Sequence, residues 1–132
     1  MTSAQSPGSG AVVVAGDEET RILFRGLLRL HHIRVDGEAD GAERALRLVR
    51  DHRPHLLVAD MNLAEGSTTT LLAEARQIHP EVRVVLVASA SRPPPQPSDG
   101  KPPDAVLLRP FRIREFAEAV NPGAFDGGGP AT

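Results

Sequence analysis

Two carboxylates, a hydroxyl and a guanidinium in this chain stand where short apolar runs stop. Residues 11–15 lead into Gly16 and Asp17, 56–59 into Asp60, 84–88 into Ser89, and 105–108 into Arg109. Taken alone, Asp60 also reads as the start of a turn, since aspartate often bonds its own backbone two residues on. The other three polar strand ends give it a chemical setting. Asp17 and Asp60 are the pair that would share a hard divalent ion such as Mg²⁺, which takes a few carboxylate or carbonyl oxygens and keeps water in its remaining positions. Asp60 would attack phosphorus in line as a carboxylate nucleophile and form an acyl phosphate. Ser89 would donate a hydrogen bond to a phosphoryl oxygen, and Arg109 would pair with one electrostatically.

Such a set forms only if the apolar runs are neighbouring parallel strands. Residues 11–15 are wholly apolar and β-branched at the centre, as in a strand buried on both faces. Leu23, Leu27 and Leu30, with Phe24 and Leu28 beside them, recur at helical spacing behind Glu18 and Glu19, whose acids suit a first helical turn. Residues 33–38 alternate apolar and polar, which predicts a wetter strand near a sheet edge. Ala42, Ala45, Leu46 and Val49 form a second helical stripe, and Pro54 ends that helix because it disfavours helical geometry in the residue before it.

The strand ending in Asp60 begins at once. Beyond its loop, Ser67 caps a helix carrying Leu71, Leu72, Ala75 and Ile78. Residues 82–88 and 105–108 give two more apolar strands. Between them, residues 92–104 hold Pro93, Pro94, Pro95, Pro97, Pro102 and Pro103, which rules out a regular helix and predicts an extended loop. Ile113, Phe116, Ala117 and Val120 mark a last short helix. Strands alternating with helices predict a doubly wound α/β domain: a parallel sheet with right-handed crossovers and helices on both faces. Functional groups in that architecture gather outside the carboxyl ends of the strands, where the four polar residues fall.

Bulk properties narrow the chemistry. At 132 residues the chain suits one domain, expected over 11–120, with a disordered leader at 1–10 and a disordered tail at 121–132. A net charge of −2 and a lack of Trp and Tyr give neither a field for gripping nucleic acid nor an aromatic stacking platform, so no direct nucleic-acid contact is expected. The absence of cysteine excludes disulfides, thiolate metal sites and thiol nucleophiles. No apolar run approaches the ~18 residues of a membrane span and the start lacks a signal-peptide pattern, so the expected location is cytoplasmic. The five histidines, His31 and His32 included, have spacings that match no metal-ligand motif. The proline run reads as a surface linker, with a polyproline ligand as its alternative.

The stretches 11–19, 53–60, 84–90 and 105–111, in this β/α order, resemble the response-regulator receiver domain of two-component signalling. The resemblance covers about residues 11–120 and implies a flavodoxin-like, five-stranded doubly wound sheet. It also implies that Asp60 is the phosphoacceptor, Asp17 a metal ligand, Asn62 a ligand through its backbone carbonyl, Ser89 the switch hydroxyl, and the peptide before Pro110 cis. A histidine kinase or phosphotransfer protein would supply the phosphoryl group, and a downstream protein partner, or a second copy in a homodimer, would receive the signal. The domain would be no enzyme.

Four positions depart from the family pattern. Gly16 stands where a second acid is usual, so weaker Mg²⁺ binding is expected. Arg109 replaces a lysine, and a planar fork is not equivalent to a compact ammonium. Val106 takes the place of a common aromatic, and the fourth helix falls on the proline-rich loop, so it is degenerate or replaced. These departures motivate a second reading, a degenerate pseudo-receiver that docks partners without phosphorylation. A third, a nucleotide- or flavin-binding enzyme on the same fold, lacks a phosphate cradle, because Gly16 is followed by Asp17, Glu18 and Glu19.

Overall fold

A computed structural model describes residues 10–89 and 100–121. Most of the expected leader, residues 90–99 of the proline-rich span and residues 122–132 of the expected tail lie outside that description. Within it, the chain alternates strands and helices: β1 (Ala11–Val14), α1 (Glu18–Leu30), β2 (Val35–Ala39), α2 (Ala42–His52), β3 (Leu56–Asp60), α3 (Thr68–Ile78), β4 (Arg83–Ser89), β5 (Ala105–Arg109) and α4 (Ile113–Val120). The five strands form one parallel sheet in the order β2-β1-β3-β4-β5. The half-polar strand β2 lies at an edge, as its alternation predicts.

Each face of the sheet has its own apolar layer. One packs Val13, Val58, Val85 and Leu107 against Phe24 and Leu28 of α1 and Phe116 of α4; the other packs Val12, Leu57 and Leu86 against Val49 of α2 and Leu71 of α3. This two-sided burial is why β1 and β3 are continuous apolar runs. Phe116 also makes ring contacts with Phe24, His31 and Phe111, at centroid separations of 6.4, 6.3 and 6.0 Å.

Local chemistry sets the helix ends. Asp17 caps α1 and Ser67 caps α3 through side-chain oxygens. Gly41 offers α2 no side-chain cap, and Glu65, from the loop after β3, supplies one instead: its Oε2 accepts from the Glu43 N–H at 3.0 Å. Arg53 ends α2 in a left-handed conformation, φ 44°, just ahead of Pro54.

The structure refines the reading of three segments. The buried stripe of α1 is Phe24, Leu27 and Leu28, while Leu23 and Leu30 face solvent. Gly10, placed by sequence in the leader, is buried, and its carbonyl accepts from the His55 and Leu56 N–H groups. β2 is interrupted by a bulge: Ala11 pairs with Val35 and Val12 with Gly37, so Asp36 is skipped.

Candidate functional site

Parallel pairing delivers the polar strand ends to one side of the sheet. β3 lies between β1 and β4, so Asp60 emerges beside the β1 exit carrying Gly16 and Asp17 and beside the β4 end carrying Ser89. In the β4–β5 register Ser89 is the direct partner of Arg109. The structure therefore gathers Asp17, Asp60, Asn62, Ser89 and Arg109 at the carboxyl edge, as the sequence suggests.

Asp60 is 3% exposed. Arg109 Nη2 donates to its Oδ1 at 2.5 Å, and the Asn62 N–H donates to its Oδ2 at 3.0 Å. Burial raises the Asp60 pKa above the usual 3.8, against the lowering effects of the Asn62 hydrogen bond and the Arg109 charge; Asp17 adds a smaller upward push. The peptide between Arg109 and Pro110 is cis, as the resemblance implies.

The loop after β3 is pinned on several sides. The Met61 N–H donates to the Val87 carbonyl at 3.0 Å, the Gly16 N–H to the Asn62 carbonyl at 2.7 Å, and the Ala64 N–H to the Asp40 carbonyl at 2.7 Å. Gly16 is glycine for a steric reason: a Cβ there would lie 2.9 Å from the Ala64 nitrogen and 3.0 Å from the Leu63 carbonyl carbon, both backbone atoms. The second acid expected from the resemblance has no room while this loop stays in place.

The oxygen donors suit a hard divalent ion by type, being two carboxylates and one backbone carbonyl. The Asp17 charge adds to the upward push on the Asp60 pKa, while Asp17 Oδ2 is held by the Thr20 N–H and hydroxyl, each at 3.0 Å. The set fits Mg²⁺ with one carboxylate fewer than the family pattern. Among the described residues, no group of three or more His, Asp or Glu side chains is placed to hold a metal. His31 instead caps α1 and bonds the Leu27 carbonyl through Nδ1.

Two supporting residues carry no signal in the sequence reading. Thr68, in the first turn of α3 and buried, donates its hydroxyl to the Asp60 carbonyl at 2.8 Å. Arg21 donates through Nη1 to the Ala15 carbonyl at 2.7 Å, closing the exit of β1. Beside the site, a cleft of about 650 Å³ opens between α1 and the start of α4, lined by Leu23, Leu27, Phe111 and Ile113 and reaching Ser89 and Arg109.

No protein-family model matches the chain. A curated relative, the chemotaxis protein CheY of Bacillus subtilis strain 168, is 25% identical over 108 residues, covering 76% of this chain and 85% of that one. Among solved structures, a CheY-like receiver domain protein from Methanospirillum hungatei JF-1 superposes with a TM-score of 0.73 at 19% identity, covering 84% of this chain and 89% of that one. The receiver domain of the response regulator NarL from Mycobacterium tuberculosis gives 0.73 at 23% identity, with 86% and 94% covered. A Burkholderia pseudomallei response regulator, solved with a phosphorylated aspartic acid, a calcium ion and citrate, gives 0.72 at 18% identity, with 91% and 71% covered. Sheet order, the extent of these matches and the curated relative agree: the chain has the CheY-like fold of response-regulator receiver domains.

Proposed function

We propose that this receiver domain accepts a phosphoryl group on Asp60 from a histidine kinase or phosphotransfer protein and signals by protein contact. The observation that carries the reading is the buried Asp60 carboxylate at a strand end with a guanidinium on one oxygen and a backbone N–H on the other. One Asp60 oxygen attacks phosphorus, the new P–O bond forms as the P–N bond to the donor imidazole breaks, and the imidazole leaves with the electron pair. Arg109 swings from the carboxylate to a phosphoryl oxygen, and Ser89, its neighbour across the strand pair, donates a hydrogen bond to another. A Mg²⁺ ion held by Asp17, Asp60 and the Asn62 carbonyl would supply further neutralisation of phosphoryl charge. The domain is a signalling module rather than an enzyme, and the apolar cleft reaching Ser89 and Arg109 offers the donor protein a docking edge. Its setting is the cytoplasm, and no described helix is long and apolar enough to cross a membrane.

The test is intact-mass measurement after incubation with Mg²⁺ and acetyl phosphate. Addition of one phosphoryl group, lost in Asp60→Ala, supports the proposal; no addition under any metal condition overturns it. The second reading, a pseudo-receiver that docks partners without phosphorylation, draws on Gly16, where the pinned loop leaves no space for a second acid. A mass shift dependent on Asp60 would count against it.

A further inference from the structure

At the sheet edge formed by β2, away from Asp60, lies a cleft of about 820 Å³ between the second half of α1 and the start of α2. Its walls carry Arg25, Arg29, His32, Arg34 and Arg44 against one acid, Glu38, in a chain whose net charge is −2. Its floor is aliphatic, with Ile33 and Val35 beside Gly37. The receiver chemistry described above uses none of these residues.

Two guanidiniums are fixed in place with donors to spare. Arg25 Nη1 donates to Glu38 at 2.7 Å and Arg44 Nε to the Glu38 carbonyl at 3.2 Å. Each bond uses a fraction of the five N–H groups a guanidinium carries. Arg29 is exposed, and its side chain has no hydrogen-bond or ion-pair partner among the described residues. We infer that this cleft is a docking site for a short acidic peptide segment of a protein partner, its carboxylates on the arginines and an apolar side chain on Ile33 and Val35.

Charge complementarity selects the occupant. Carboxylates match the planar fork of arginine. A long polyanion suits the surroundings less: nucleic acid needs an extended basic track and stacking rings, whereas this protein is acidic overall and the cleft's sole aromatic ring is His32. The peptide lies in the cleft rather than extending the sheet, because the bulge at Asp36 disrupts the β2 edge as a pairing template.

Fluorescence anisotropy with the whole chain tests this, using a labelled peptide of repeated Glu-Leu-Glu-Gly units, its Gln-for-Glu counterpart and labelled single-stranded DNA. The acidic peptide is expected to bind and to weaken as salt is raised, with the Gln peptide at least about tenfold weaker, a difference near 1.4 kcal/mol. Arg29→Glu combined with Arg44→Glu, both at exposed positions, is expected to weaken binding by at least about tenfold, while Arg50→Glu, outside the cleft, leaves it unchanged. No binding of the acidic peptide, binding indifferent to the charge reversals, or DNA binding at equal strength through the same arginines would each overturn the inference.

Discussion

Arg109 Nη2 lies 2.5 Å from Asp60 Oδ1, and this contact joins the ends of β5 and β3 across the intervening β4. Asp60 is almost wholly buried, whereas the Arg109 side chain remains 36% exposed. The pair is therefore asymmetric: the carboxylate depends on the arginine for charge compensation, while the arginine keeps partial access to water.

Removing the guanidinium should be felt through the carboxylate it leaves behind. Breaking a buried pair costs about 3–5 kcal/mol and an exposed pair about 0–1, so with Arg109 over a third exposed, solvent screening puts Arg109→Ala on the order of 1–2 kcal/mol. Arg109→Lys should lose less, since an ammonium still supplies charge. Urea denaturation at neutral pH measures both, and an Arg109→Ala variant as stable as the parent would refute the dependence.

The raised pKa of Asp60 has a defined sign in stability. Burial, the largest cause, makes the folded state hold the proton more tightly than the unfolded chain does. Stability is then undiminished below the ordinary value of 3.8, falls as pH rises from there through the folded pKa, and stays reduced above it. Asp60→Asn, which removes the ionisable group, should melt higher than the parent at pH 7 by a few degrees. That advantage should shrink as pH is lowered toward 3.8. Calorimetry across this range checks it; an advantage that grew on acidification would contradict the sign.

The sequence makes the alternating architecture legible because its signals are strong and local. Apolar β-branched runs stop on Asp60, Ser89 and Arg109, and parallel pairing necessarily brings neighbouring strand ends together. Residues whose importance comes from tertiary geometry are harder to see. Leucines flank α1 on more than one side, so spacing alone cannot tell buried Leu27 from exposed Leu23 and Leu30. Thr68 and Glu65 sit in polar stretches that read as loop and cap, yet one bonds the Asp60 carbonyl and the other caps α2 from a distant segment. Gly16 is readable as a missing acid, but the reason, a loop backbone packed against its Cα, exists only in three dimensions.

That packing gives Gly16→Ala a direction. The added methyl would meet the backbone of Leu63 and Ala64 at 3.0 Å or less, and backbone yields less readily than a flexible side-chain tip. The loop must shift, stretching the 2.7 Å bond from the Gly16 N–H to the Asn62 carbonyl. A loss of about 1–3 kcal/mol is expected, in the range for overpacking. Chemical denaturation reads the loss, and faster amide exchange at Gly16 and Ala64 would localise it to the loop.

Thr68→Val isolates the hydroxyl that supports Asp60. Valine preserves the shape and burial of the side chain but removes the donor to the Asp60 carbonyl at 2.8 Å and to the Met61 carbonyl at 3.4 Å. The global cost should be about 0.5–1.5 kcal/mol, that of one neutral hydrogen bond. The local consequence should be larger than that figure suggests, because the same bond ties the first turn of α3 to the end of β3. If Asp60 accepts a phosphoryl group, Thr68→Val should slow its labelling by acetyl phosphate while leaving the site intact, whereas Thr68→Ser, which keeps the hydroxyl, should restore the rate. A valine variant that labels at the parent rate would separate Thr68 from the positioning of Asp60 and leave it a role in packing alone.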